Sequence, residues 1–271
     1  MTFSSPIAAI AAALAAAALA AGPAEAFAPA ATAPIHPGVQ TRTDGGQCTA
    51  NFVFTGGDGS VYIGQAAHCS GTGGQTETDG CTSRSLPLGT PVTVDGATRP
   101  GTLAYNSWIR MQERGEQDAD TCAYNDFALV KLDPEDAAAR TNPSIPFWGG
   151  PTALNTTGTK LGDTVLSYGN SSLRAGIALL SPKQGLSLGA DGGGWDHPVY
   201  TVTPGIPGDS GSAFLDRSGR ALGVLSTLAL APLPASNGVG DLSRELAYLN
   251  RTTTLDVSLA LGTVPFRGPL V

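Results

Sequence analysis

Gly208-Asp209-Ser210-Gly211-Ser212-Ala213 decides how this chain reads, because two earlier stretches complete it: Gln65-Ala66-Ala67-His68-Cys69 and Asn125-Asp126-Phe127-Ala128-Leu129. A serine hydroxyl is a weak nucleophile at neutral pH. It becomes useful when an imidazole takes its proton and a carboxylate fixes the tautomer of that imidazole. In chain order the three stretches supply His68, Asp126 and Ser210. Alone, a Gly-Asp-Ser-Gly string is ordinary turn chemistry. Here it lies between β-patterned segments and follows Pro204-Gly205-Ile206-Pro207, so a stiff loop presents the hydroxyl. Glycines at 208 and 211 permit backbone conformations that a side chain hinders. The amides of Gly208 and Ser210 can then converge as an oxyanion hole, where each donor is worth roughly 3 kcal/mol in related chemistry.

Rivals for the other two roles are weaker. Of the three histidines, His36 lies in a Pro/Thr-rich leader and His197 in the Gly/Asp loop 191–198, while His68 sits just past a hairpin. Asp118, Asp120 and Asp133 lie near Asp126, but only Asp126 immediately precedes an apolar strand pattern, Phe127-Ala128-Leu129-Val130-Lys131-Leu132. A mobile, solvated carboxylate would fix no tautomer.

The order His, Asp, Ser, with Ala-Ala-His-Cys, Asp-x-Ala-Leu and Gly-Asp-Ser-Gly around the three residues, resembles the chymotrypsin-like serine peptidases, in their secreted bacterial form. The resemblance implies an all-β fold: two six-stranded antiparallel β-barrels and a C-terminal helix. It implies a serine endopeptidase that works through an acyl-enzyme on protein or peptide substrates, with no cofactor and no metal. It also chooses among the three pairings that four cysteines allow, giving Cys48–Cys69 and leaving Cys81–Cys122. Ser226, in Gly223-Val224-Leu225-Ser226, would hydrogen-bond Asp126 and line the cleft. Asp209 would be a buried carboxylate in need of a cation. No Arg/Lys-Ile-Val activation site is present, so an internal Arg174 is the candidate partner.

For the substrate pocket, the family places the base six residues before the nucleophile. That is Pro204, which carries no charge, and the wall after Ser226 is Thr227-Leu228 where open-pocket members have Gly. This implies cleavage after small or medium apolar residues, although a shift of register within 204–207 would let Asp191 or Asp196 reach in. Three departures stand out. Ser212 replaces a usual second Gly, Gln65 replaces a usual Thr or Ser, and the His68–Asp126 gap of 58 residues is long, which places an insertion between Cys81 and Cys122.

The N-terminus carries a 15-residue apolar run, Ile7 to Ala21, followed by Ala24-Glu25-Ala26. The run is short for a membrane span, and the pattern predicts a secretory signal over 1–26, although no Lys or Arg precedes it. An even number of cysteines behind an export signal predicts disulfides, and no C-x-x-C spacing supports zinc. Residues 27–44, rich in Ala, Pro and Thr, read as a leader or short pro-segment; 45–132 as the first barrel; and 133–271 as the second barrel with the helix. Within these, strands are expected near 48–55, 61–65, 91–95, 101–104, 127–132, 164–168, 176–180, 199–203, 212–215 and 221–227, and one helix near 241–249, capped by Asp241. The net charge of −7 without any Lys/Arg cluster excludes an electrostatic footprint for nucleic acid or an anionic membrane. A secreted, extracellular monomer is expected. Two other functions compete. A catalytically weak or inactive binding or adhesive protein on the same fold would typically have lost a triad residue, and an α/β-hydrolase esterase would want G-x-S-x-G and the serine first.

Overall fold

The computed structural model describes residue 1 and residues 27–44, 46–74, 78–229 and 233–270. The expected export signal, with its apolar run and cleavage site, lies outside the described residues. Two antiparallel sheets make up most of the molecule. The first is built from β1 (Gln40–Thr43), β2 (Gly46–Thr49), β3 (Val53–Thr55), β4 (Val61–Gln65), β5 (Pro91–Val94), β6 (Gly101–Asn106), β7 (Ala128–Lys131) and the distant β14 (Ser258–Leu259). Its order is β14-β3-β4-β7-β6-β5-β1-β2. The second contains β8 (Thr164–Tyr168), β9 (Pro182–Ser187), β10 (Val199–Val202), β11 (Ala213–Asp216), β12 (Ala221–Ala229) and β13 (Ser236–Asp241), closed as a six-stranded barrel.

Side-chain alternation explains the barrel wall. In β10, Val199 and Thr201 face the interior while Tyr200 and Val202 face out. The two sheets share one core. Phe52, Phe54 and Phe127 from the first pack in a cluster with Leu166, Leu215 and Val224 from the second, and the Phe54 and Phe127 rings meet edge-on at 5.5 Å. The C-terminal helix α4 (Leu242–Thr252) adds Leu242, Leu246 and Leu249 to this core, and the Asp241 side chain caps it by accepting the Arg244 N–H at 2.9 Å.

Several expectations need correction. Residues 27–44, expected as a leader or short pro-segment, are packed onto the fold and carry β1. Ile35 is fully buried, Ala28 N–H bonds Thr141 O at 3.0 Å, and β1 pairs with β5 before Gly45 is reached. One Ile and one Val among prolines leave no period to read, yet they suffice to dock the segment. The strand expected from Cys48 to Thr55 breaks into β2 and β3. The expected strand near 176–180 is a 3-10 turn, Ala178–Leu180, and the strand follows it as β9. Among the described residues three further α-helices are present: α1 (Ser107–Arg114), α2 (Ala119–Tyr124) and α3 (Pro134–Arg140), each with a capping side chain, from Asn106, Asp118 and Asp133. Helices α1 and α2 lie within the 58-residue gap between His68 and Asp126, and Cys81–Cys122 ties α2 to the segment ahead of β5.

Candidate active site

Strand β4 ends at Gln65, and a 3-10 turn, Ala67–Ser70, presents His68. Cys69 of that turn is bonded to Cys48 of β2. Asp126 lies just ahead of β7, which pairs with β4, so the sheet itself brings acid and imidazole together. His68 Nδ1 is 2.6 Å from Asp126 Oδ2, and the His68 amide donates to Oδ1 at 2.9 Å. The Ser226 hydroxyl donates to Oδ2 at 2.5 Å. Asp126 is therefore gripped at both oxygens and nearly buried, while the His68 side chain remains 23% exposed. Burial alone would depress the imidazole pKa, but the charge of Asp126 and its hydrogen bond outweigh that and raise it above the usual 6.5.

Ser210 arrives from the second barrel. Thr49 N–H of β2 donates to Ser210 O at 2.8 Å, and the next residue is pressed against the His68 segment. A Cβ at Gly211 would lie 2.5 Å from Thr49 O and 3.0 Å from Ala66 N, and φ is +86°, so only glycine fits there. The Ser210 hydroxyl and His68 Nε2 have no hydrogen-bond partner among the described residues.

The amides around Ser210 divide into two sets. Asp209 N–H bonds Ile206 O, Gly211 N–H bonds Leu225 O and Ser212 N–H bonds Asp209 O, at 2.7–3.0 Å. The amides of Gly208 and Ser210 meet no acceptor among the described residues. Those are the two donors that the sequence reading singles out, and unengaged donors are what a developing oxyanion requires.

Asp209 is fully buried. Arg174 Nη2 lies 2.9 Å from its Oδ2, the partner expected, and Lys183 Nζ lies 3.2 Å from the same oxygen. Lys183 was not read from the sequence; its inward position on β9 is its only signal. Burial lowers the Lys183 pKa, with Arg174 adding to the effect and Asp209 opposing it. Ser212, the departure from the usual Gly, turns its hydroxyl onto Asp209 O at 2.5 Å.

Pro204 and the 226–228 wall are held together by a residue that sequence reasoning missed. Asn237 accepts the Gly205 N–H at 2.8 Å and donates to Thr227 O at 3.1 Å. Leu228 is 49% exposed and stands at the rim of this region. A cavity of about 520 Å³ between α1 and the end of α4 is separate, and none of His68, Asp126 or Ser210 lines it. Behind Asp126, Glu245 of α4 is fully buried and its carboxyl oxygens make no side-chain hydrogen bond. Burial first, then the nearby charges of Asp126 and Asp241, hold its pKa well above the usual carboxylate value. His197 is a structural residue, bonded to Asp241 and Thr159. The groupings of metal-ligand size among the described residues, Cys48/His68/Cys69 and Asp79/Cys81/Cys122, depend on disulfide sulfurs, which are not thiolate ligands.

Architecture and site geometry together define the chymotrypsin-like fold of the bacterial serine proteases. Thermobifida fusca Protease A superposes with a TM-score of 0.54 at 15% identity, covering 84% of this chain and 99% of that one. A glutamic acid specific serine protease gives 0.53 at 16% identity, covering 83% and 100%. Nocardiopsis Protease gives 0.51 at 17% identity, covering 83% and 98%. No protein-family model and no curated protein matches the sequence. The likeness is therefore one of fold.

Proposed function

We propose that the protein is a secreted serine endopeptidase with Ser210 as nucleophile, His68 as general base and acid, and Asp126 as the carboxylate that orients His68. The observation that carries this reading is the His68–Asp126 pair at 2.6 Å beside a Ser210 loop whose amides at 208 and 210 are unengaged. Ser210 Oγ attacks the scissile carbonyl and passes its proton to His68 Nε2. The carbonyl oxygen, now anionic, takes the N–H groups of Gly208 and Ser210. His68 then protonates the leaving amine, and the acyl-enzyme remains on Ser210. A water activated by His68 hydrolyses it and restores the hydroxyl. Asp126 stabilises the imidazolium that forms.

Two closed disulfides support an oxidising, extracellular setting, and no helix among the described residues is long and apolar enough to cross a membrane. The net charge of −7 disfavours nucleic acid as a partner. At the pocket, Pro204 offers no charge, and Asp209 is already shared by Arg174 and Lys183. A buried cationic substrate side chain would find no free counter-charge at Pro204 or Asp209, which is costly. Cleavage after small or medium apolar residues is the expected specificity. The test pairs wild type with Ser210→Ala on a mixed peptide library and with a fluorophosphonate probe. The variant should lose turnover by roughly 10⁴-fold or more, together with all labelling. Unlabelled wild type without turnover would make the protein a binding module instead, and a dominant preference for Arg or Lys would overturn the pocket assignment.

A further inference from the structure

We infer that Ser171 and Ser212, with Thr49 and Gln47 between them, are positioning residues that hold the oxyanion hole open. The inference rests on the serine peptidase reading and concerns the backbone of 207–210. In a trans peptide the C=O and N–H point in opposite directions. The Gly208 N–H belongs to the peptide whose carbonyl is Pro207 O, and the Ser171 hydroxyl donates to that oxygen at 2.6 Å. The Ser210 N–H belongs to the peptide whose carbonyl is Asp209 O, and the Ser212 hydroxyl donates to that one at 2.5 Å. The intervening carbonyl, Gly208 O, receives Thr49 Oγ1 at 2.8 Å and Gln47 Nε2 at 2.9 Å. The carbonyls of Pro207, Gly208 and Asp209 are thus each held by a side chain, Asp209 O also by the Ser212 N–H at 3.0 Å and Ser210 O by the Thr49 N–H, and the amides of Gly208 and Ser210 are left without an acceptor among the described residues.

Close packing keeps the arrangement in register. A Cβ at Gly208 would lie 2.5 Å from Gln47 Oε1 and 2.8 Å from Ser171 Oγ, and its φ is +94°. Gln47 and Thr49 are alternate residues of β2, and Cys48 between them is bonded to Cys69, next to His68. One short strand therefore sets the oxyanion amides and the imidazole against each other. Without the Ser171 hydroxyl, the Pro207–Gly208 peptide loses the bond that keeps its carbonyl out of the hole, and one donor is lost whenever it turns.

The test measures Ser171→Ala, Ser212→Ala and Thr49→Val for kcat, KM and affinity for two inhibitors. One is a peptide boronic acid, whose tetrahedral adduct on Ser210 places an oxygen in the hole. The other is a reduced-bond peptide with no scissile carbonyl. Ser171→Ala and Ser212→Ala should each lower kcat by at least about tenfold, toward the 10²–10³ that loss of a whole donor costs. Boronate affinity should fall by a similar factor, while KM and the reduced-bond inhibitor stay within about threefold of wild type. Ser171→Thr, which keeps the hydroxyl, should recover most of the rate. If Ser171→Ala does not fold, Ser212→Ala carries the test alone, because it removes the hydroxyl from Asp209 O and leaves the Ser212 N–H bond to that oxygen in place, so the loss of kcat reads the hydroxyl's own part. An unchanged kcat, or a loss confined to KM, in an enzyme whose turnover depends on Ser210 overturns the inference alone. Absence of Ser210-dependent turnover in wild type overturns the peptidase reading and the inference with it.

Discussion

Replacing Asp209 by Asn should be among the most damaging single changes to this molecule, and replacing Lys183 by Met among the mildest in its core. Asp209 and the Lys183 side chain are fully buried, the Arg174 side chain is 8% exposed, and the two cations converge on one oxygen of Asp209, Oδ2. Two cations thus share a single counter-charge. Asp209→Asn keeps the shape but strands both cations away from water, and breaking a buried pair in this way costs about 3–5 kcal/mol. For a chain of this size, where each kcal/mol moves Tm by about 2–4 °C, the midpoint should fall on the order of 10 °C. Lys183→Met instead leaves Arg174 and Asp209 as a one-to-one pair and exchanges an ion for an apolar chain of similar length, a change worth within about 1 kcal/mol of zero. The order of effects follows from charge counting rather than from burial, which ranks the two residues alike.

Thermal unfolding at pH 7 with both single variants and the double variant forms the assay. Adding Lys183→Met to Asp209→Asn should recover part of the lost stability, because it removes one stranded charge. In alkaline buffer the Asp209→Asn deficit should shrink, since burial lowers the Lys183 pKa and that lysine neutralises before an exposed one does. The reasoning is refuted if Lys183→Met costs as much as Asp209→Asn, or if the double variant is no more stable than Asp209→Asn alone.

The acid limb of kcat/KM should have its midpoint above 6.5, because His68 must be neutral to act as base and Asp126 raises its pKa; a midpoint at or below 6.5 would contradict the pairing. The disulfides close rings of 21 and 41 residues and should each stabilise by about 3–4 kcal/mol, the larger ring slightly more. Loss of Cys48–Cys69 should nonetheless cost far more kcat, because it ties the His68 turn to β2, and equal losses of rate from the two deletions would show that tie to be unimportant. Glu245, whose folded pKa is raised, keeps a proton in the fold that the unfolded chain releases above about pH 4.5. Stability contributed by this group is therefore present below that pH and lost above it, so the Tm of Glu245→Gln relative to wild type should climb between pH 4 and pH 7. A constant difference across that range would refute the assignment.

What the sequence makes legible here is chemistry that sits in a contiguous stretch. His68, Asp126 and Ser210 each stand in a local context that says strand end or glycine loop, and the geometry places them accordingly. The residues that support them are another matter. Ser171, Gln47, Thr49 and Asn237 are ordinary polar residues, and each bonds a partner 30 to more than 150 positions away that no local pattern announces. Arg174 was within reach because a buried carboxylate demands a cation, but the same demand was already met once and gave no reason to seek Lys183. Pro182 and Gly185 also disguise β9, since both residues are poor in strand interiors. Residues 107–124 hide two helices because their charged composition reads as an exposed insertion, while the apolar contacts of Trp108 and Met111 are made beneath it.

Strand β14 pairs Ser258 with Thr55 and Leu259 with Phe54, so the first sheet is finished by residues from near the far end of the chain. Such pairing, across roughly 200 positions, must await late chain and a long loop closure, which slows folding. The first sheet cannot be completed until residues 258–259 have been made, because one edge of β3 stays unpaired until then. That edge carries Val53 and Phe54, a segment open to pairing with another chain. Expression of residues 27–132 alone should accordingly give an associating species, and a short peptide spanning 254–262 should compete for the same edge.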